Sequence, residues 1–121
     1  MYNVLVCDDE KDIVSALQIY LKSEGYQVFS AYNGKEALKI INREDIQLVL
    51  MDIMMPVMDG MEATREIRTM NRSDASAVVI IAMTANAFTE DKTKALKPGM
   101  DDYLTKPLES EKLIRALSRY K

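Results

Sequence analysis

Five polar side chains in this sequence follow short apolar runs: Asp8 and Asp9 after Asn3–Cys7, Asp52 after Gln47–Met51, Thr84 after Ala77–Met83, and Lys106 just beyond Asp102–Leu104. Three carboxylates drawn together repel one another, and each loses hydration as it nears a buried sheet edge. An all-oxygen acidic cluster of this kind suits a hard cation, Mg²⁺ or Mn²⁺ in its place, which keeps several of its waters. A divalent ion and the Lys106 ammonium together bring three positive charges against the three negative ones. A phosphoryl group arriving at Asp52 then shares its non-bridging oxygens between the metal, Lys106 and the Thr84 hydroxyl. Phosphoryl transfer asks for this positioning and neutralisation more than for covalent chemistry.

These groups meet only if the chain brings the ends of its strands to one edge. Val4-Leu5-Val6, Leu48-Val49-Leu50-Met51 and Val78-Val79-Ile80-Ile81 are apolar throughout, the pattern of strands buried on both faces of a parallel sheet. The strands are predicted at Asn3–Cys7, Gln27–Ala31, Gln47–Met51, Ala77–Met83 and Asp102–Leu104. Between them lie helical stripes. The first carries Ile13, Ala16, Leu17, Tyr20 and Leu21 and ends at Gly25. Asn33 and Glu36 form a capping box ahead of Ala37, Leu38 and Ile41. Asp59-Gly60 opens a third helix with Ala63, Ile67 and Met70. A fourth is predicted over Ala87–Leu96, ending at Lys97-Pro98-Gly99, and the last carries Leu113, Ile114, Leu117 and Tyr120. Arg72–Ser76 is the most polar connection and the expected mobile loop. Strict alternation with right-handed crossovers gives an α/β fold, a doubly wound (βα)₅ parallel sheet with helices on both faces. Ligands of such sheets bind at the carboxyl ends of the strands, where the five polar groups fall.

Composition narrows the function classes. A chain of 121 residues holds one compact domain, expected over 1–121 with no output domain. The formal net charge of −3, with basic residues scattered among acids, argues against direct nucleic-acid binding. There are no histidines, which excludes a histidine-based catalytic dyad and most zinc sites. The single cysteine, Cys7, fits a reducing compartment. No secretory leader is visible and no apolar run is long enough for a transmembrane helix, so a cytoplasmic location is expected.

Four segments together resemble the response regulator receiver family. They are Asp8-Asp9 after an apolar strand, Leu50-Met51-Asp52-Ile53-Met54-Met55-Pro56-Val57-Met58-Asp59-Gly60, Met83-Thr84-Ala85, and Tyr103-Leu104-Thr105-Lys106-Pro107. Their order and spacing match over essentially the whole chain. The resemblance implies a flavodoxin-like sheet with strand order 2-1-3-4-5. It implies Asp52 as phosphoacceptor, Asp8 and Asp9 as Mg²⁺-binding acids, and Met54 contributing a backbone carbonyl to the metal. Lys106 is implied as the phosphoryl-binding lysine, with a cis bond to Pro107. Thr84 and Tyr103 are implied as a switch pair whose movement repacks the face formed by the fourth helix, fifth strand and last helix. The implied partners are a histidine kinase or histidine phosphotransfer protein acting in trans and a downstream output domain or protein. The chain is then a monomer or a phosphorylation-dependent dimer, and no enzyme beyond its own phosphorylation and dephosphorylation.

Plainer roles stand beside these. Asp8 and Asp9 also suit capping of the first helix. Tyr103 suits ordinary half-buried packing as well as a switch, and Cys7 suits a buried strand position. Met51, Met54, Met55, Met58 and Met61 are expected to pack core and loop, because the adjacent acids are hard ligands. A Mg²⁺-dependent phosphohydrolase of the haloacid dehalogenase type uses a similar Asp, Thr and Lys set. It requires a second acid two residues after the nucleophile, where this chain has Met54. A degenerate receiver that only binds partners is disfavoured by the intact residue set. Pro98 is a departure from the family pattern that is expected to end the fourth helix earlier, and the resemblance implies that Asn86 and Met54 occupy positions that tune phosphoryl lifetime in the family. The first half of the chain resembles receivers of transcription factors and the second half those of hybrid kinases.

Overall fold

The computed structural model describes residues 2–55, 57–70, 78–84, 99–106 and 108–120. In chain order these form β1 (Asn3–Cys7), α1 (Lys11–Ser23), β2 (Gln27–Ala31), α2 (Gly34–Arg43), β3 (Leu48–Asp52), α3 (Gly60–Arg68), β4 (Val79–Thr84), β5 (Asp102–Thr105) and α4 (Ser110–Tyr120). The strands make one parallel sheet in the order β2-β1-β3-β4-β5, as the resemblance implied. The predicted helix over Ala87–Leu96, the Arg72–Ser76 loop, Asn86, Pro98 and the Lys106–Pro107 bond lie wholly or partly outside the described residues.

The continuous apolar runs are explained by what covers them. Val4, Val6, Leu48, Leu50, Ile81 and Met83 face α1 and α4, meeting Val14, Leu17, Leu21, Leu113 and Leu117. The alternate residues Leu5, Cys7, Val49, Met51, Ile80 and Ala82 face α2 and α3, meeting Ala37, Ile40, Ile41, Ala63 and Ile67. Among the described residues both faces of β1, β3 and β4 are covered, so these strands need no polar alternation.

Local signals place the helices. At the end of α1, Gly25 has φ +93°, and its amide reaches Lys22 O while that of Tyr26 reaches Leu21 O, each at 3.1 Å. That pair of bonds is a Schellman motif, with Tyr26 and Leu21 both buried beside it. Asn33 caps α2, its Oδ1 accepting the Glu36 amide at 3.0 Å. Glu36 reaches back past the cap to the Tyr32 amide at 2.8 Å, one residue earlier than a standard capping box. On α1 the buried residues are Val14, Leu17 and Leu21. Ala16, expected in the apolar stripe, is exposed instead.

The amino ends of β4 and β5 are pinned from α3. The Arg68 guanidinium donates to Val78 O at 2.6 Å, to Gly99 O at 3.0 and 2.7 Å, and to Asp101 Oδ2 at 2.9 Å. Asp101 Oδ2 also accepts the Ile80 amide at 2.9 Å.

Candidate functional site

Strand ends differ from the sequence prediction in a way that matters for the site. β3 runs to Asp52 and β4 to Thr84, one residue further than predicted in each case, and β5 runs to Thr105. Asp52 is paired with Met83, and Thr84 with Thr105. Both polar residues are therefore held by the ladder itself, with Asp52 only 4% and Thr84 3% exposed. Their side chains leave the sheet from fixed backbone.

Asp8 follows β1, which lies beside β3. It is fully buried, its amide donating to Ala31 O at 3.1 Å and its Oδ1 accepting the Glu10 amide at 3.0 Å. Helix capping is not its role: Glu10 is the α1 N-cap, and no side chain caps there. Asp9 is exposed at the rim. One carboxylate oxygen from each of Asp8, Asp9 and Asp52 lies within 4.8 Å of the others. The chain thus brings the predicted acids together.

Lys106, just past β5, projects into this cluster. Its Nζ lies 2.7 Å from Asp8 Oδ2, 3.4 Å from Asp52 Oδ2 and 3.9 Å from Glu10 Oε1. The backbone fixes its approach, since its amide donates to Thr84 O at 2.7 Å. Asp8 Oδ2 has no aligned hydrogen-bond donor, and its contact with the close ammonium is an ion pair. A buried carboxylate oxygen lacking a donor, in a set of three acids, fits a hard divalent cation. Asp8, Asp9 and Asp52 are the side chains that would hold one.

The electrostatics follow from burial. Desolvation pushes Asp52 up to about 6; the Met54 amide at 3.1 Å opposes this, Asp8 adds to it, and Lys106 opposes it. Burial pulls Lys106 down, but its close polar contact with Asp8 and the charges of Asp52 and Asp8 outweigh it and leave the ammonium raised. Cys7 is pushed far up by burial and by Asp52 and Asp8, so its thiol stays protonated and inert.

The loop from β3 to α3 is shaped around Asp52. A Cβ built on Gly60 would collide with the Asp52 carbonyl oxygen, so α3 begins hard against the end of β3 and only glycine fits there. Asp59 caps the helix, accepting the Glu62 amide at 2.8 Å. Val57 has φ +69°, a strained conformation for a β-branched residue that sequence reading did not anticipate. Met54 departs from its expected packing role: it is 76% exposed, whereas Met51 is buried and Met55, Met58 and Met61 are half-buried. Tyr103 is half-buried against the α2 and α3 side of the core.

A family model described as the response regulator receiver domain matches residues 4–118. The chain is similar to the chemotaxis protein CheY4 of Vibrio cholerae, with 30% identity and TM-score 0.93 over 100% of this chain and 99% of that one. It is also similar to the receiver domain of a sensor histidine kinase from Pseudomonas aeruginosa, solved with a magnesium ion in its active-site cleft. There the identity is 37% and the TM-score 0.89, over 98% of this chain and 96% of that one. A third similar structure is the Saccharomyces cerevisiae phosphotransfer protein Ypd1 bound to the receiver domain of Ssk1. Identity is 31% and TM-score 0.89, over 98% of this chain and 88% of that one.

Proposed function

Because the chain belongs to the response regulator receiver domain family of two-component systems, we propose that Asp52 accepts a phosphoryl group from a partner's phosphohistidine, and that this is its signalling event. The observation that carries the proposal is Lys106 Nζ, held 2.7 and 3.4 Å from two buried carboxylates on neighbouring strands. A lysine placed so is a ready counter-charge for an incoming phosphoryl oxygen.

In the transfer, an Asp52 carboxylate oxygen attacks phosphorus and the donor's P–N bond breaks, leaving the imidazole to its own protein. Asp8, Asp9 and Asp52 would hold Mg²⁺, which when bound neutralises charge on the transferring group. The fixed ladder position of Asp52 and the Met54 amide orient the nucleophile. Lys106 neutralises the product, and the Thr84 hydroxyl, at the adjacent strand end, supplies a donor to it. The donor's approach has a physical path: an apolar groove of about 210 Å³, lined by Ile13, Ala16, Leu17 and Leu108, runs to Lys106. A histidine phosphotransfer protein docking there delivers its phosphohistidine across the rim. Hydrolysis of external phosphate esters is not favoured, since Met54 offers no acid where such an enzyme needs one.

The test is incubation with Mg²⁺ and acetyl phosphate, read by intact mass. One phosphoryl adduct on the wild type and none on Asp52→Asn is the expected result. An undiminished adduct on Asp52→Asn, or turnover of many equivalents of a small phosphate ester, would reject it.

A further inference from the structure

Asn33-Gly34 is the N-cap and first residue of α2. It is also a dipeptide whose backbone can react with its own side chain. A glycine carries no Cβ to shield its nitrogen, so that nitrogen can attack the amide carbon of a preceding asparagine and close a succinimide ring. The Gly34 nitrogen first gives its proton to hydroxide. The new C–N bond then forms, the Cγ–Nδ2 bond of Asn33 breaks, and the departing nitrogen takes a proton from water and leaves as ammonia. Water opens the ring at either carbonyl, giving aspartate or isoaspartate. No oxidant, metal or second protein is required.

The fold occupies both reactants. Asn33 Oδ1 accepts the Glu36 amide at 3.0 Å, which holds the side chain over the first turn of α2. The Gly34 amide donates to Met58 O at 3.0 Å, and Gly34 is buried, so its proton is kept from hydroxide. The Asn33 carbonyl accepts the Cys7 thiol at 3.3 Å, which ties residue 33 to the end of β1 as well. Asn33 has ψ 173°, which staggers its side-chain carbon against the next nitrogen where ring closure needs the two eclipsed. A Cβ built on Gly34 would lie 2.7 Å from Met58 Cγ and from Met58 O, so the β3–α3 loop presses directly on the reactive peptide. That loop is itself seated by Gly60, whose added Cβ would lie 2.2 Å from the Asp52 carbonyl oxygen.

We propose that Asn33-Gly34 is a latent deamidation site, kept closed by the β3–α3 loop and exposed when Met58 O releases the Gly34 amide. The rate of conversion is then the rate in an open chain multiplied by the fraction of time the loop is open. The two products differ in what they do to the fold. Aspartate at position 33 remains a good cap, and its charge is favourable at a helix N-terminus. Isoaspartate adds a methylene to the main chain, and the contact between Gly34 and Met58 has no room for it. The isoaspartyl product therefore frees the loop that flanks Asp52, while the aspartyl product leaves it seated. Nothing in this chemistry depends on phosphorylation.

The experiment is ageing of the protein in mildly alkaline buffer below its melting midpoint, and in parallel in guanidinium chloride. Peptide mass mapping follows residue 33 and separates aspartate from isoaspartate. Conversion in denaturant, and conversion slower by about tenfold or more in the folded protein, is the expected result. Gly60→Ala, checked as folded by circular dichroism, should displace the loop and convert faster than the wild type by about tenfold. Deuterium exchange of the Gly34 amide, read by NMR on the wild type, serves where Gly60→Ala does not fold. Low denaturant should raise exchange and conversion in parallel. Absence of conversion in denaturant, or equal rates in the folded and unfolded protein, overturns the proposal. So does a Gly34 amide that exchanges without protection. A folded Gly60→Ala that converts no faster than the wild type overturns it too, as does exchange that responds to denaturant while conversion does not.

Discussion

As the proposed nucleophile, Asp52 sits where two requirements collide, since a nucleophile must be ionised while a buried carboxyl resists ionisation. With its ionisation pushed to about 6 by burial, the folded state binds the proton more tightly than the unfolded chain does. Stability contributed by the protonated form is therefore present at low pH and lost as pH rises through about 6. Asp52→Asn should raise stability at pH 7.5 in the presence of a chelator by on the order of 1–3 kcal/mol, and the gain should shrink as pH falls below 5. Denaturant unfolding at several pH values checks it, and an equal gain at every pH would contradict the burial account. Val57 poses a different problem. Its φ of +69° is a conformation that asparagine accepts and valine resists, and its side chain is 70% exposed, so little packing is lost on replacement. Val57→Asn should stabilise by about 1 kcal/mol, with Val57→Gly gaining less because glycine loosens the unfolded chain. A lower melting midpoint for Val57→Asn would show that the loop is held by contacts rather than strained.

At the level of elements, α1 serves two surfaces at once. Val14, Leu17 and Leu21 are buried against the sheet, and the exposed Ala16 lines the groove beside Lys106. This is why an apolar stripe of Ile13, Ala16, Leu17, Tyr20 and Leu21 reads as wider than the face actually buried. Of the surplus apolar positions, Ile13 and Ala16 line the groove at the rim of the site. Ala16→Glu places a charge in that groove without touching the core. Transfer from a histidine phosphotransfer protein should slow about tenfold or more, while phosphorylation by acetyl phosphate, which needs no docking, should stay within about twofold. Equal slowing with both donors would place Ala16 in the chemistry instead of the docking surface.

For the molecule as a whole, most of the architecture was readable because apolar runs and helix caps are local signals. Leu48–Met51 announces a strand covered on both sides, and Gly25 and Asn33 announce helix ends. The strand order was read from the resemblance, since which strands pair is decided by crossovers and not by local pattern. The site residues could be named in advance, but their ladder positions could not. Strand bounds are set by pairing with Met83 and Thr105, which lie far along the chain. Val57's backbone and Met54's exposure stayed hidden because composition carries no dihedral angle. A cation joining Asp8, Asp9 and Asp52 couples to the stability of the entire fold, so Mg²⁺ at 100 times its dissociation constant should add about 2.7 kcal/mol. Asp9→Asn should blunt that gain in denaturant titrations, and an unchanged gain would move the cation elsewhere. The strand order has one more consequence, in the time domain. β2, β1 and β3 come from residues 3–52, so a nascent chain carries Asp8, Asp9 and Asp52 long before Lys106 leaves the ribosome. Of the site's charges, the lysine is the last to be synthesised. Were neutralisation late in folding as well, Lys106→Gln should leave the folding rate nearly unchanged while hastening unfolding, and a slowed folding limb in stopped-flow kinetics would show the opposite.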